Sequence, residues 1–256
     1  MNDIGHLLVH LQQRLESKAT SKTKNWWEKY LKQAIPFRGV KMGDIRSALH
    51  AWLKDEAIAD RLLPDEQVAL ALSLMRQKHA DDKLAGILYL QEVLLPAGGL
   101  DWPRDLPRFA VLFQDGYIFD WNTCDWFCVK VLGPLVERYG EPCAQAIATW
   151  RQADNLWQRR AAGVAFVNLA KHGDNNFPGF VDLLLEVCAA TVQSPERFAQ
   201  TGTGWVLREL SLADLERVLN FVETYYACFS REGLRYALEK MPAETKAEFL
   251  KGKFVF

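Results

Sequence analysis

Apolar residues three and four apart, repeated along almost the whole chain, constrain this sequence more than any other feature. Ile4, Leu7, Leu8, Leu11 and Leu15 share one face of a helix over residues 3–16. Ser21 is placed to cap a second helix through Trp26, Trp27, Tyr30 and Leu31, which Pro36 ends. Asp44 serves as a candidate N-cap for a helix over residues 45–53, and Pro64-Asp65-Glu66 opens one that reaches Met75. A further helix spans residues 80–95. Pro96-Ala97-Gly98-Gly99 and the pairs Trp102-Pro103 and Leu106-Pro107 then mark connections. Helical spacing resumes over 106–114, 121–138, 141–152, 156–171, 177–191, 195–209, 213–228, 231–240 and 243–250. No alternating apolar run or hairpin signal interrupts the series.

Helices of this length joined by short turns predict an all-α protein. A helix pair cannot bury its apolar face alone, so neighbours stack into a solenoid. A globular helical bundle is the alternative, because no strict sequence repeat is visible. With 256 residues and no linker-like stretch, one continuous domain over 1–256 is expected, and a 49% hydrophobic content with nine tryptophans suffices for a packed interior. Cys124, Cys128, Cys143, Cys188 and Cys228 are odd in number and form no C-x-x-C pair, which predicts reduced thiols. His6 and His10 lie four apart but lack a third ligand, so no metal is expected; Cys124 and Cys128 read as small buried residues. No Walker loop, dinucleotide glycine pattern or serine elbow is present, and no cofactor is expected. The start of the chain has no signal-like apolar core and no membrane-length apolar run follows, so a cytoplasmic protein with no membrane partner is expected.

A formal net charge of −1 gives no global attraction for a polyanion, so a nucleic-acid reading must rest on local charge. Over residues 18–46, Lys18, Lys22, Lys24, Lys29, Lys32, Arg38, Lys41 and Arg46 outnumber Glu28 and Asp44, around the loop Pro36-Phe37-Arg38-Gly39-Val40-Lys41. A solvated helix face explains these charges equally well. In mid-chain, Trp121 and Asp125 are one helical turn apart, which puts an indole beside a carboxylate on one face. Later come Leu156-Trp157-Gln158-Arg159-Arg160-Ala161 and Gly204-Trp205-Val206-Leu207-Arg208-Glu209.

The four segments, F-x-G-V-K, W-x-x-x-D, L-W-x-R-R-A and G-W-V-L-R-E, in this order and approximate spacing resemble the AlkD-like alkylpurine DNA glycosylases. The resemblance runs from Tyr30 to about Arg235. It implies a C-shaped solenoid of HEAT-like repeats that cradles duplex DNA containing alkylated purines; a solenoid of this size can work as a monomer, and a monomer is expected. It implies Asp125 as the catalytic aspartate, and Trp121 and Trp205 as the tryptophans that flank the lesion. It further implies Arg160 on a nearby phosphate, with Arg159 in its place if the register shifts by one, and Tyr30 beside the damaged nucleotide. Lys41 and Arg208 join them as DNA-contacting cations. A purine alkylated at N3 or N7 is a cationic, good leaving group. The enzyme's task is then to stabilise an oxocarbenium-like sugar and position water, which a carboxylate can do. Cation–π contacts from the indoles add about 0.5–2 kcal/mol each and favour charged over neutral purines. The resemblance also implies that the base need not enter a deep pocket, unlike most base-excising enzymes.

The sequence departs from the family in two places. Asn122 stands where a second aspartate is common, and Thr201-Gly202-Thr203-Gly204 stands where a lysine and helix-favouring residues are usual. Two glycines in one turn are expected to loosen that helix by roughly 1 kcal/mol each. A non-catalytic helical-repeat scaffold for DNA or protein is the alternative function, and an enzyme or binder for another nucleic-acid structure is a third.

Overall fold

A computed structural model describes residues 4–252. Among them there is no β-strand, and the chain is all-α. No helix among the described residues is long and apolar enough to cross a membrane. The chain divides into two compact units, Met1–Val131 and Leu132–Phe256.

The first unit contains α1 (Ile4–Glu16), α2 (Ser21–Tyr30), α3 (Met42–Asp55), α4 (Ile58–Arg61), α5 (Pro64–Met75), α6 (Ala80–Tyr89), α7 (Trp102–Gln114) and α8 (Trp121–Phe127). Pro64 begins α5 as the sequence predicts, and Glu66 reaches back to the Leu63 amide at 2.9 Å. α5 and α6 pack tightly because Gly86 lacks a side chain: a Cβ there would lie 2.7 Å from the Ala71 carbonyl oxygen. α6 is buried along its whole length, flanked by α3, α5 and α8.

Several boundaries differ from those expected. Thr20, not Ser21, caps α2 by accepting from the Thr23 amide. α2 ends at Tyr30, and Lys32 and Gln33 take positive φ values of 53° and 60°, so the chain has already turned before Pro36. α3 starts at Met42, which places Asp44 in its first turn, where a carboxylate opposes the helix dipole. α7 starts at Trp102, with Pro103 in its first turn and Pro107 inside it. Pro103 sacrifices no hydrogen bond at such a position, and the buried Leu106, Phe109 and Phe113 hold the helix across the one lost at Pro107. The expected 121–138 helix is interrupted by a π turn, Cys128–Leu132, and Pro134, two residues beyond it, has no N–H to return to the Lys130 carbonyl.

The second unit contains α9 (Gly133–Tyr139), α10 (Glu141–Ala148), α11 (Leu156–Val164), α12 (Val167–Ala170), α13 (Phe180–Thr191), α14 (Arg197–Leu210), α15 (Leu215–Thr224), α16 (Arg231–Ala237) and α17 (Ala243–Lys251). Its centre is α14, which packs on α11, α13 and α16. Asn155, Asp214 and Ser230 cap α11, α15 and α16 through their side-chain oxygens. The Thr201-Gly202-Thr203-Gly204 segment lies inside α14 and is continuous helix, buried throughout. Its glycines mark close approaches. A Cβ on Gly204 would lie 2.4 Å from the Gly233 carbonyl oxygen of α16, and one on Gly202 would lie 3.1 Å from Arg160 Nη1. Thr203 Oγ1 lies 2.7 Å from Thr191 Oγ1 on α13. Helix–helix packing thus outweighs the intrinsic cost of the glycines.

Candidate nucleic-acid site

The F-x-G-V-K loop has a structural account for each of its residues except the lysine. Phe37 is buried and stacks on Trp27 at 5.5 Å, while its amide donates to Glu28 Oε1. The Arg38 and Val40 amides donate to the two carboxylate oxygens of Asp81, at 2.7 and 2.8 Å. Gly39 has φ +99°, and a Cβ on it would meet the Thr20 carbonyl oxygen at 2.5 Å. The Arg38 guanidinium makes a two-pronged pair with Asp82 and reaches Glu16 through Nη1. Burial works to lower the Arg38 pKa, and these carboxylates hold it above its ordinary value. Lys41 is exposed, immediately before α3, with no ion pair among the described residues.

This loop and α2 carry aromatic rings to the start of α8. Tyr30 stands edge-on to Trp121, ring centroids 5.6 Å apart, and stacks on Trp26 at 5.2 Å with an interplanar angle of 13°. Trp27 and Trp121 both rest on the cluster Leu31, Ile35, Phe37 and Ala80. The structure therefore brings together Tyr30 and Trp121, ninety-one positions apart by their numbers. Asp125 follows on α8 one turn after Trp121, both half-buried.

α8 is positioned by Asp120, whose carboxylate accepts from the Thr123 amide at 2.9 Å. Burial raises the Asp120 pKa, against the opposing hydrogen bonds from Thr123. Asp120, Asn122 and Thr123 are buried.

Sequence reasoning missed the run Asp81-Asp82-Lys83 at the start of α6. Its three charged side chains are buried. Lys83 Nζ donates to the Met75 carbonyl at 2.8 Å and lies within 6 Å of the Tyr117 and Phe119 ring centroids. Burial lowers its pKa to about 8, while the charges of Asp120 and Asp82 oppose the shift. An unfolded lysine keeps its proton until near 10.5, so between pH 8 and 10.5 the unfolded chain binds more protons here than the folded one. This group therefore makes stability rise with pH across that window and contributes no slope below it. Urea titrations of wild type and Lys83→Met at a series of pH values from 7 to 10 are expected to differ by a term growing to about 2 kcal/mol in favour of wild type at the alkaline end. Parallel curves would show that Lys83 keeps an ordinary pKa in the fold.

In the second unit, α11 carries Arg159 and Arg160 and α14 carries Trp205 and Arg208. Arg160 is buried, and its Nη1 donates to the Phe198 carbonyl at 2.7 Å and to Thr201 Oγ1 at 3.3 Å, which joins α11 to α14. Arg159 donates to the Ala153 and Asp154 carbonyls and pairs with Glu196. Trp205 is half-buried with the Arg208 guanidinium 5.9 Å from its ring centroid. Arg208 also bonds Glu209 and Glu239; burial alone would lower its pKa, and these two acids raise it above the ordinary value. The five cysteines form no disulfide among the described residues, and four of them are buried. Burial pushes the Cys143 thiol up to about 12, which suits an inert core residue.

The described residues form an all-α protein in which an aromatic cluster, contributed in part by the lysine-rich α2, adjoins the aspartate-bearing α8. The family described as DNA alkylation repair enzyme matches residues 11–241, and the chain belongs to it. Among solved structures, a predicted DNA alkylation repair enzyme from Enterococcus faecalis is similar to this chain, with TM-score 0.72 and 16% sequence identity. The match covers 88% of this chain and 98% of that one, and at this identity it supports the fold. No curated protein matches.

Proposed function

We propose that this member of the DNA alkylation repair family is a DNA glycosylase that hydrolyses the N-glycosidic bond of N3- or N7-alkylated purines in duplex DNA. The observation that carries the reading is the cluster at the start of α8: Trp121 under Tyr30, with Asp125 one turn further on the same helix. Asp125 stabilises the oxocarbenium-like sugar and positions the attacking water. Trp121 and Tyr30 contact the cationic nucleoside, and Trp205 keeps the role of lesion-contacting indole that the family resemblance gives it.

Phosphate neutralisation is best supported at Lys41, which is exposed without an ion pair among the described residues. Arg159, Arg160 and Arg208 already bond carbonyls or carboxylates, so as phosphate contacts they would have to exchange or share those partners. No step calls for a metal or cofactor, since the leaving group is already cationic.

The test is release of free methylated purine from alkylated duplex DNA by the purified protein. Release of 3-methyladenine or 7-methylguanine well above the spontaneous rate is the expected result. Tight duplex binding without release would favour a non-catalytic scaffold.

A further inference from the structure

The lysine-rich helix α2 is not explained by the lesion chemistry. Its sequence, Ser-Lys-Thr-Lys-Asn-Trp-Trp-Glu-Lys-Tyr, places Lys22, Trp26, Lys29 and Tyr30 on one face at i, i+4, i+7 and i+8. No residue of α2 is fully buried. Trp26 and Tyr30, at 57% and 54% exposure, are the two most exposed aromatic side chains among the described residues. Lys22, Lys24 and Lys29, and Lys32 just beyond the helix, are exposed and make no ion pair among the described residues. Arg38 and Arg46, from the same basic region, are by contrast held by Asp82, Glu16 and Glu92. The one acid of α2, Glu28, is occupied by the Phe37 amide.

Single exposed apolar residues are ordinary on a protein surface. Here two rings lie nearly parallel, the inner one in contact with Trp121, on a helix whose neighbouring lysines, Lys22, Lys24, Lys29 and Lys32, make no ion pair among the described residues. Unneutralised lysines favour a polyanion, and an exposed indole among them favours a partner that also presents flat, stackable faces. A nucleic-acid strand with unstacked bases supplies both.

We infer that α2 is a strand-binding platform on which an unstacked base lies against Trp26, one ring beyond Tyr30, while Lys22 and Lys29 hold the adjoining phosphates. This inference rests on the nucleic-acid reading of the protein but not on excision. It adds a contact site for undamaged strand next to the aromatic cluster of α8.

The test is fluorescence anisotropy of a labelled, undamaged oligothymidylate, at several salt concentrations, with wild type, Trp26→Ala and the double variant Lys22→Gln/Lys29→Gln. Trp26→Ala is expected to weaken binding at least about 5-fold, the loss typical of one stacked base, with the salt slope unchanged. The double lysine variant is expected to lower the slope of log K against log salt by about 1.4, at roughly 0.7 per phosphate contact on a single strand. Both sets of residues are exposed, and unchanged urea midpoints are expected to confirm that the variants fold. Wild-type affinity in Trp26→Ala, or no measurable binding of the oligothymidylate by wild type, would overturn the inference. Excision of methylated purine by a protein that fails this test would leave the proposed function intact. Trp26-dependent strand binding without excision would do the reverse.

Discussion

Asp125→Asn is expected to lower the rate of methylated-purine release by at least about 100-fold while leaving duplex affinity within about two-fold. The substitution keeps size and hydrogen-bonding shape and removes the negative charge. When the departing base is already cationic, little acid catalysis is required, and the positive charge that develops on the sugar becomes the main demand on the protein. An amide offers a dipole there in place of a charge. Asp120→Asn is the informative companion, because the two carboxylates lie five positions apart, Asp120 capping α8 and Asp125 within it. Asp120 is buried and caps the helix through the Thr123 amide, a task asparagine performs nearly as well. Asp120→Asn is therefore expected to retain excision within about ten-fold. Equal losses in both variants would mean that the helix, and not the Asp125 charge, had been disturbed. Undiminished release by Asp125→Asn would move the chemistry to another group.

How far the sequence revealed these features depends on whether the forces responsible act locally. The helical class was readable because apolar spacing is local, and the start of α5 because Pro64 and Glu66 act within one turn. The start of α7 was not: Trp102-Pro103 and Leu106-Pro107 are breakers by composition, and only burial of Phe109 and Phe113 against the rest of the fold makes a helix there. Trp121 and Asp125 could be paired from their spacing alone, since four residues on a helix fix their relation. The resemblance assigns Tyr30 and Trp121 to the same nucleotide, but their direct contact is tertiary, and no local rule links residues so far apart in the chain. Asp81-Asp82-Lys83 escaped notice because such a triplet has the composition of a solvated first turn. Its actual partners, the amides and guanidinium of the Arg38 loop and the Met75 carbonyl, are tertiary. One clue was available: a tight loop with Gly39 between Arg38 and Val40 leaves backbone amides that must find acceptors, and a pair of adjacent acids elsewhere is a natural supply.

Gly204→Ala is expected to destabilise the protein by about 2–4 kcal/mol in urea unfolding, against a gain of about 1 kcal/mol that helix propensity alone would give. Opposite signs make the experiment decisive between local and tertiary effects. The added Cβ would fall 2.4 Å from the Gly233 carbonyl oxygen and 2.7 Å from Tyr236 Cβ, and the first of these is backbone of α16, which cannot rotate away. Relief requires α14 and α16 to separate, and these two helices pack closely on one another. Gly43→Ala is the matched control: it lies in the first turn of α3 with nothing within 4 Å of an added Cβ, so the same substitution is expected to be neutral or stabilising by up to about 1 kcal/mol. Because Trp205 is the next residue in α14, a shift of that helix also moves its indole. Excision by Gly204→Ala is therefore expected to fall even at temperatures where the variant is folded, with Gly43→Ala unaffected. Stabilisation by Gly204→Ala would show that α14 and α16 are not in the close contact that makes glycine necessary at this position.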